Sequence, residues 1–239
     1  FTFGNEELFP SIISDIAHRR GVGAKIALGV RALAEEIGQG SEHFAMHTKG
    51  LEYAGYDPRA AYGGALAYAV APRGGCHRRS SPVHVVFATD DPLQIKGHSV
   101  ALRKLFHERS IMHTILICDF VGRSLHVAVE DFIQYLEAVI GISFTTQDLA
   151  DIVDRTETTI RLYNIQEGFT KEDDTVAPRI MHEALPDGPS AGKIIGEDNF
   201  NRMLEEFYYL YGWDENGVPT EETLKRLDIN IDDDRFKDS

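Results

Sequence analysis

A run of small residues leading into a basic, glycine-rich turn constrains this chain more than any other stretch. Asp57-Pro58-Arg59 is followed by Ala60, Ala61, Gly63, Gly64, Ala65, Ala67 and Ala69. Asp57 suits a helix N-cap, because its carboxylate can accept from a free backbone N–H of the first turn. Pro58 suits the next position, where no N–H is needed. The spacing predicts one helix from Pro58 onward that can approach another backbone, or a flat ligand, very closely. Packing is the commoner use of such a helix. After it comes a charged loop, Pro72 to Arg79, with Arg73, Gly74, Gly75, Cys76, His77, Arg78 and Arg79. A second run, Ser110 to Phe120 (SIMHTILICDF), holds the only other cysteine, Cys118. His77 and Cys118 are far apart in sequence, so the two loops can line one cleft.

The rest of the chain sets bounds. Its 239 residues suffice for one large domain or two modest ones. A formal charge of −14 argues against nucleic acid or an anionic membrane as partner, since phosphate contacts need a basic face. No apolar run is long enough to span a bilayer, and the start has neither the charged nor the apolar region of a signal peptide. The opening Phe-Thr-Phe-Gly-Asn reads as the interior of a longer chain. Two cysteines do not make a disulfide framework at this length, so a reducing, cytoplasmic compartment is expected.

Hydrophobic periodicity predicts an all-α, multihelical fold. Helices are expected over Glu6–Arg20, Ala24–Ile37 with Gly38 as terminator, Ile95–His107 and Glu130–Ile140 ending at Gly141. Others are expected from a Thr146 cap to Gln166, over Glu197–Tyr211 ending at Gly212, and from a Thr220 cap to Leu227. Ser41–Leu51 is expected to be extended and 178–196 to be a loop. Short alternations occur only at Phe44–His47 and 83–88, and the tail at 232–234 is acidic and expected to fray.

Few residues offer chemistry. Cys76-His77 with His113 and Cys118 could form a four-ligand zinc site, although no Cys-x-x-Cys pair sets the geometry. Cys118 could equally be a packed thiol in an apolar run. Arg73, Arg78 and Arg79 beside glycine backbone suit an oxyanion, or form a solvated charged loop. The carboxylates fall on expected solvent faces and receive no role.

Several segments in order carry a resemblance. They are Phe3-Gly4-Asn5-Glu6, Lys49-Gly50-Leu51-Glu52, Tyr56-Asp57-Pro58-Arg59, Leu66-Ala67-Tyr68-Ala69, Arg73-Gly74-Gly75-Cys76-His77, Gly168-Phe169-Thr170, and Tyr211-Gly212-Trp213-Asp214 with Gly217-Val218-Pro219. In that order they resemble the C-terminal part of the aldehyde ferredoxin oxidoreductase family, the tungsten-pterin enzymes. The resemblance implies residues 1–70 as the end of a second, helical domain and 71–239 as a third. A pterin-cradling first domain would lie outside this chain.

It also implies cofactors: a tungstopterin, with two molybdopterin-type dithiolenes around tungsten or molybdenum, and a [4Fe–4S] cluster. Neither is expected to stay with this part alone, which would be inactive by itself. Three cluster cysteines would lie elsewhere. The fourth comes from a D-x-x-G-L-C motif that aligns with His113-Thr114-Ile115-Leu116-Ile117-Cys118. Cys118 is kept as the ligand, while His113 replaces the pterin-facing aspartate and Leu116 replaces the glycine. The resemblance places His113, Ile117, Arg73 and Arg79 among the cofactor-binding positions. His77 matches a histidine near tungsten that carries protons, and His18 a metal-binding histidine at a dimer interface. The implied activity is oxidation of aldehydes to carboxylic acids with ferredoxin as electron acceptor, in a homodimer when full length. Two alternatives stay open: reduction of an aromatic acyl-thioester by the same family, and a non-catalytic helical module.

Overall fold

The computed structural model describes residues 4–79, 84–85, 89–118, 120 and 127–231. The acidic tail at 232–234 lies outside the described residues, as does most of the alternation at 83–88. Among the described residues the fold is helical, with one two-stranded ribbon of β1 (His47–Thr48) and β2 (Leu51–Glu52). The strands pair antiparallel, Thr48 opposite Leu51.

Three helices precede or flank the ribbon: α1 (Phe9–Ala17), α2 (Gly21–Ile26) and α3 (Gly29–Ile37). The single helix expected over Ala24–Ile37 is therefore two. Gly29 takes a positive φ of 81°, and the Glu52 carboxylate accepts from the Val30 N–H at 2.9 Å, capping α3 from a distance in sequence. Ser41–Phe44 is a short 3₁₀ turn rather than extended chain.

The small-residue helix also forms in two steps. Asp57 caps a 3₁₀ turn, Pro58–Ala60, by accepting from the Arg59 N–H at 3.0 Å. Ala61 is extended, and α4 (Tyr62–Val70) starts after it. Residues Tyr62 to Ala69 of α4 are all buried. Around α4 pack α5 (His98–Thr114) and α9 (Glu197–Tyr211), and α5 in turn packs on α7 (Thr146–Gln166). The main core joins Leu66, Tyr68, Leu102 and Phe106 to Ile180, Met203, Phe207, Tyr208 and Tyr211. A second cluster joins Ile111, Met112, Phe132, Leu149 and Val153, where α6 (Val129–Ile140) meets α5 and α7. Two further short helices are α8 (Pro178–His182), within the stretch expected as loop, and α10 (Glu221–Arg226).

The ends follow residue chemistry. Thr145, one residue before the expected cap, accepts from Asp148 N–H at 3.1 Å to start α7. Gly141 and Gly212 end α6 and α9 in the left-handed conformation, at φ of 71° and 70°. Thr220 caps α10.

Of the two readings of the small-residue helix, packing holds for its first turn. A Cβ added at Gly63 would fall well inside contact distance of Val85 Cγ1 and His98 Nδ1. Both neighbours are fully buried, so neither has room to yield. Gly63→Ala is expected to destabilise the fold by about 1–3 kcal/mol through overpacking. Urea unfolding checks this, and an unchanged midpoint would mean the Val85–His98 wall gives way.

Candidate functional site

The loop after α4 is built on the β-ribbon. Gly75 N–H donates to Thr48 O at 3.2 Å. Cβ atoms at Gly74 or Gly75 would run into the backbone oxygens of Thr48 or Leu51, so both glycines are required by this close approach. Asn164 of α7 secures the loop's start by donating to Pro72 O at 2.7 Å.

Cys76 organises the turn itself. Its buried sulfur accepts from Arg73 Nε at 3.0 Å and from the backbone N–H groups of Arg78 and Arg79 at 3.3 and 3.4 Å. The chain must wrap round the sulfur to deliver these donors, and the wrap leaves His77 exposed between them. Arg73 is exposed as well, while Arg78 and Arg79 are half-buried.

The second segment lies against the first. The Arg78 guanidinium stacks over the Phe120 ring, 4.1 Å from its centroid. Arg109 of α5 donates to Arg78 O at 3.2 Å. The helical pattern of α5 runs on to Thr114, so most of the apolar run read from the sequence is helix. His113 sits half-buried in the last turn of α5. The chain then turns at Leu116, with Ile117 N–H returning to Met112 O at 2.8 Å. Ile117 packs on the second core cluster, and Cys118 emerges exposed as a free thiol. His77 and Cys118 thus stand on two segments that touch through Arg78 and Phe120.

His18 is not part of this assembly. It caps α1, its exposed ring donating from Nδ1 to Ser14 O at 2.8 Å. The zinc reading also fails to assemble. The Cys76 sulfur is engaged by its own loop, and among the described residues no group of three or more His, Cys, Asp or Glu side chains could hold a metal.

Leu116 has a φ of 59° and is 92% exposed. This left-handed turn is one that glycine adopts freely and a leucine adopts at a cost of about 1 kcal/mol or more. Its side chain recovers almost nothing by burial. Leu116→Gly is therefore expected to stabilise the chain by about 0.5–1 kcal/mol, after allowing for the extra freedom of glycine when unfolded. Denaturant unfolding reads this directly, and a loss of stability would refute the strain argument.

Beneath the loop lies a group of buried charges to which sequence reasoning gave no role. Asp174 accepts from Lys49 Nζ at 2.6 Å, from Arg161 Nη1 at 2.7 Å and from the Tyr208 hydroxyl. Burial pulls the Lys49 pKa down, and the Asp174 charge opposes this. Glu157 of α7 is also buried and accepts from the Ser110 hydroxyl of α5. Burial pushes its pKa up, while the Ser110 hydrogen bond and the Arg79 charge pull it back. A signal for Glu157 was present in the sequence. It follows the buried Leu149 and Val153 at intervals of one helical turn, on the core face of α7.

The family model described as "Aldehyde ferredoxin oxidoreductase, domains 2 & 3" matches residues 1–229. The tungsten-containing aldehyde ferredoxin oxidoreductase of Pyrococcus furiosus is 34% identical over 235 residues, covering 96% of this chain and 38% of the relative. Its counterpart in Thermococcus kodakarensis is 33% identical with the same coverage. An aliphatic sulfonate oxidoreductase, WOR-like subunit, of Pyrococcus furiosus is 25% identical, covering 95% of this chain and 35% of the relative. Among solved structures, the active site complex BamBC of benzoyl coenzyme A reductase with 1,5-dienoyl-CoA superposes with a TM-score of 0.71. That likeness, at 20% identity, covers 98% of this chain and 40% of the other and concerns the fold. The chain spans about two fifths of the curated relatives' length.

Proposed function

This chain belongs to the aldehyde ferredoxin oxidoreductase family, of which it carries the part described as domains 2 and 3. From that premise we propose that it is the C-terminal part of a tungsten-pterin, iron–sulfur enzyme that oxidises aldehydes to carboxylic acids and passes electrons to ferredoxin. One observation carries the reading. The Arg78–Phe120 contact joins the loop that exposes His77 to the segment that exposes Cys118.

The residues fit a group held mainly from outside this chain. A [4Fe–4S] cluster needs four ligands, and one exposed thiol, Cys118, is offered here. Arg73 and Arg79 would meet anionic parts of a pterin, and His113 and Ile117 would lie beside it next to Cys118. When bound, the cofactors supply the two-electron chemistry and the onward electron path. Oxidation of an aldehyde by water to an acid releases two electrons and two protons. His77 is suited to accept a proton and return it to solvent, because imidazole exchanges protons near neutral pH.

Residues 1–70 and 71–239 are read as the end of the second domain and the whole of the third. His18, remote from this site, keeps Nε2 available for a metal at a homodimer interface. No helix among the described residues is long and apolar enough to cross a membrane, and a cytoplasmic setting suits two cysteines that are not joined in a disulfide. One feature favours a second reading, reduction of an aromatic acyl-thioester by the same family. His113 replaces a pterin-facing acid with a group that can donate protons, which a reduction consumes.

The test uses the full-length protein. Cys118→Ser is expected to lower iron per chain, since a hydroxyl ionises far less readily than a thiol. His77→Ala is expected to keep the iron and lower kcat for an aldehyde by roughly 10²–10⁴-fold. The 239-residue chain alone is expected to hold no stoichiometric cluster and to show no aldehyde-dependent dye reduction. Full iron in Cys118→Ser with an unchanged cluster spectrum would remove the ligand role.

A further inference from the structure

Arg109 is a buried cation that the proposed chemistry does not use. It lies on α5, one helical turn before His113, and its Nη1 donates to Arg78 O at 3.2 Å. Arg78 is the residue directly after His77. A hydrogen bond from a charged donor, made in the interior, is among the stronger kinds. The planar guanidinium is also a preorganised fork, which loses less freedom on bonding than an ammonium on a flexible stem.

The ties on the basic loop fall into two halves. Before His77, Asn164 of α7 holds Pro72 O and the ribbon holds the Gly75 N–H. After His77, the N–H groups of Arg78 and Arg79 both donate to the Cys76 sulfur, at 3.3 and 3.4 Å. That sulfur belongs to the loop, so these bonds give the turn its shape but not its place. Contacts from the second segment supply the place. One is the stack of the Arg78 guanidinium on Phe120, a ring that is 60% exposed. A cation–π pair in so open a setting is weak. Another is the buried Arg109 hydrogen bond. The peptide unit between Arg78 and Arg79 is thus engaged at both ends, its oxygen by Arg109 and its N–H by Cys76. A planar peptide held at both ends resists rotation about its flanking bonds, and the direction of the His77 side chain follows from that backbone.

The same helix presents Cys118. α5 runs on to Thr114, and the Ile117 N–H returns to Met112 O in its last turn. Arg109 therefore ties the backbone beside His77 to the helix that sets the path to Cys118. We propose that Arg109 is a positioning residue, whose guanidinium sets where the His77 imidazole stands relative to the Cys118 thiol. The placement is a property of the fold. Its effect on turnover rests on the reading of His77 as proton acceptor, because a general base works only within hydrogen-bond reach of the proton it takes. A misplacement of about 1 Å is enough to cost roughly 10²-fold in rate.

The experiment uses the full-length protein. A crystal structure of Arg109→Ala is expected to show the His77 ring displaced by about 1 Å or more, with α5 and Cys118 in place. In solution, Arg109→Ala is expected to keep its iron and to lose roughly 10–100-fold in kcat for an aldehyde. Added guanidinium ion is expected to restore most of that loss. In a His77→Ala background the same change is expected to cost less than about twofold more, since a residue that acts through His77 then has nothing left to place. Arg109→Lys keeps the charge and a donor without the fork, and carries the same measurements where the alanine variant does not fold. An unmoved His77, a loss of iron along with rate, or equal losses with and without His77 would each overturn the positioning role. The displacement is read without turnover. If His77 moves while neither His77→Ala nor Arg109→Ala changes kcat, the positioning stands and the proton role of His77 falls.

Discussion

Asp174 is the interaction on which the site depends. Two cations and a phenol converge on this one buried carboxylate, from a ribbon lysine, from α7 and from α9. Each contact reaches a different part of the chain. Lys49 also donates to Ala69 O near the end of α4, and Arg161 Nε donates to Gly217 O at 2.8 Å beyond α9. A buried pair of this kind adds little net stability against apolar residues of similar size. Its effect is on placement, because removing one member leaves an uncompensated charge and costs about 3–5 kcal/mol. The Lys49 side has the most direct consequence for function. It fixes the ribbon against α4, and the ribbon is the surface on which Gly74 and Gly75 rest.

A chain of net charge −14 that gathers Arg73, Arg78, Arg79 and Arg109 around one turn has concentrated its positive charge. Such a field acts locally, since salt limits the reach of exposed charges to about 10 Å. The buried Cys76 sulfur explains how the turn holds its shape with so many like charges. Three donors converge on it, two of them backbone N–H groups, so the arginine side chains need not hold the fold themselves. Arg73 Nε is the exception, and the remainder of that guanidinium stays exposed. Cys76 is thus the structural centre of the turn, while Cys118 across the contact is exposed.

Where local chemistry decides, the sequence was readable. α9 and its stop at Gly212 follow from an apolar stripe and a left-handed glycine, and α6, α7 and α10 fall within one residue of expectation. The misses come from contacts distant in sequence. The break between α2 and α3 depends on Glu52 capping Val30 from the ribbon. Pro178 was read as loop although it suits the first helical position, which it fills in α8. At the site, the two loops expected to line one cleft touch through Arg78 and Phe120. The charges beneath them were missed because carboxylates were assigned to solvent faces as a class. Glu157 shows why this fails: its spacing from Leu149 and Val153 puts it on the apolar face, and the packing of α5 and α9 encloses it beside Arg161 and Asp174.

Leu116 and His113 stand where the resemblance implies a glycine and an acid. Leu116 holds a left-handed turn, at a φ of 59°. A side chain that is almost fully exposed does not impose such a conformation, so the surroundings must. They do so through the returning hydrogen bond from Ile117 to Met112 and through Ile117 packing on the second core cluster. The backbone path to Cys118 is therefore set by the end of α5 and the core behind it, independently of the residue at 116. The same reasoning separates His113 from the turn. It lies within the helix, so the residue type there does not redirect the chain. The backbone path to Cys118 is thus set independently of the side chains at both 113 and 116.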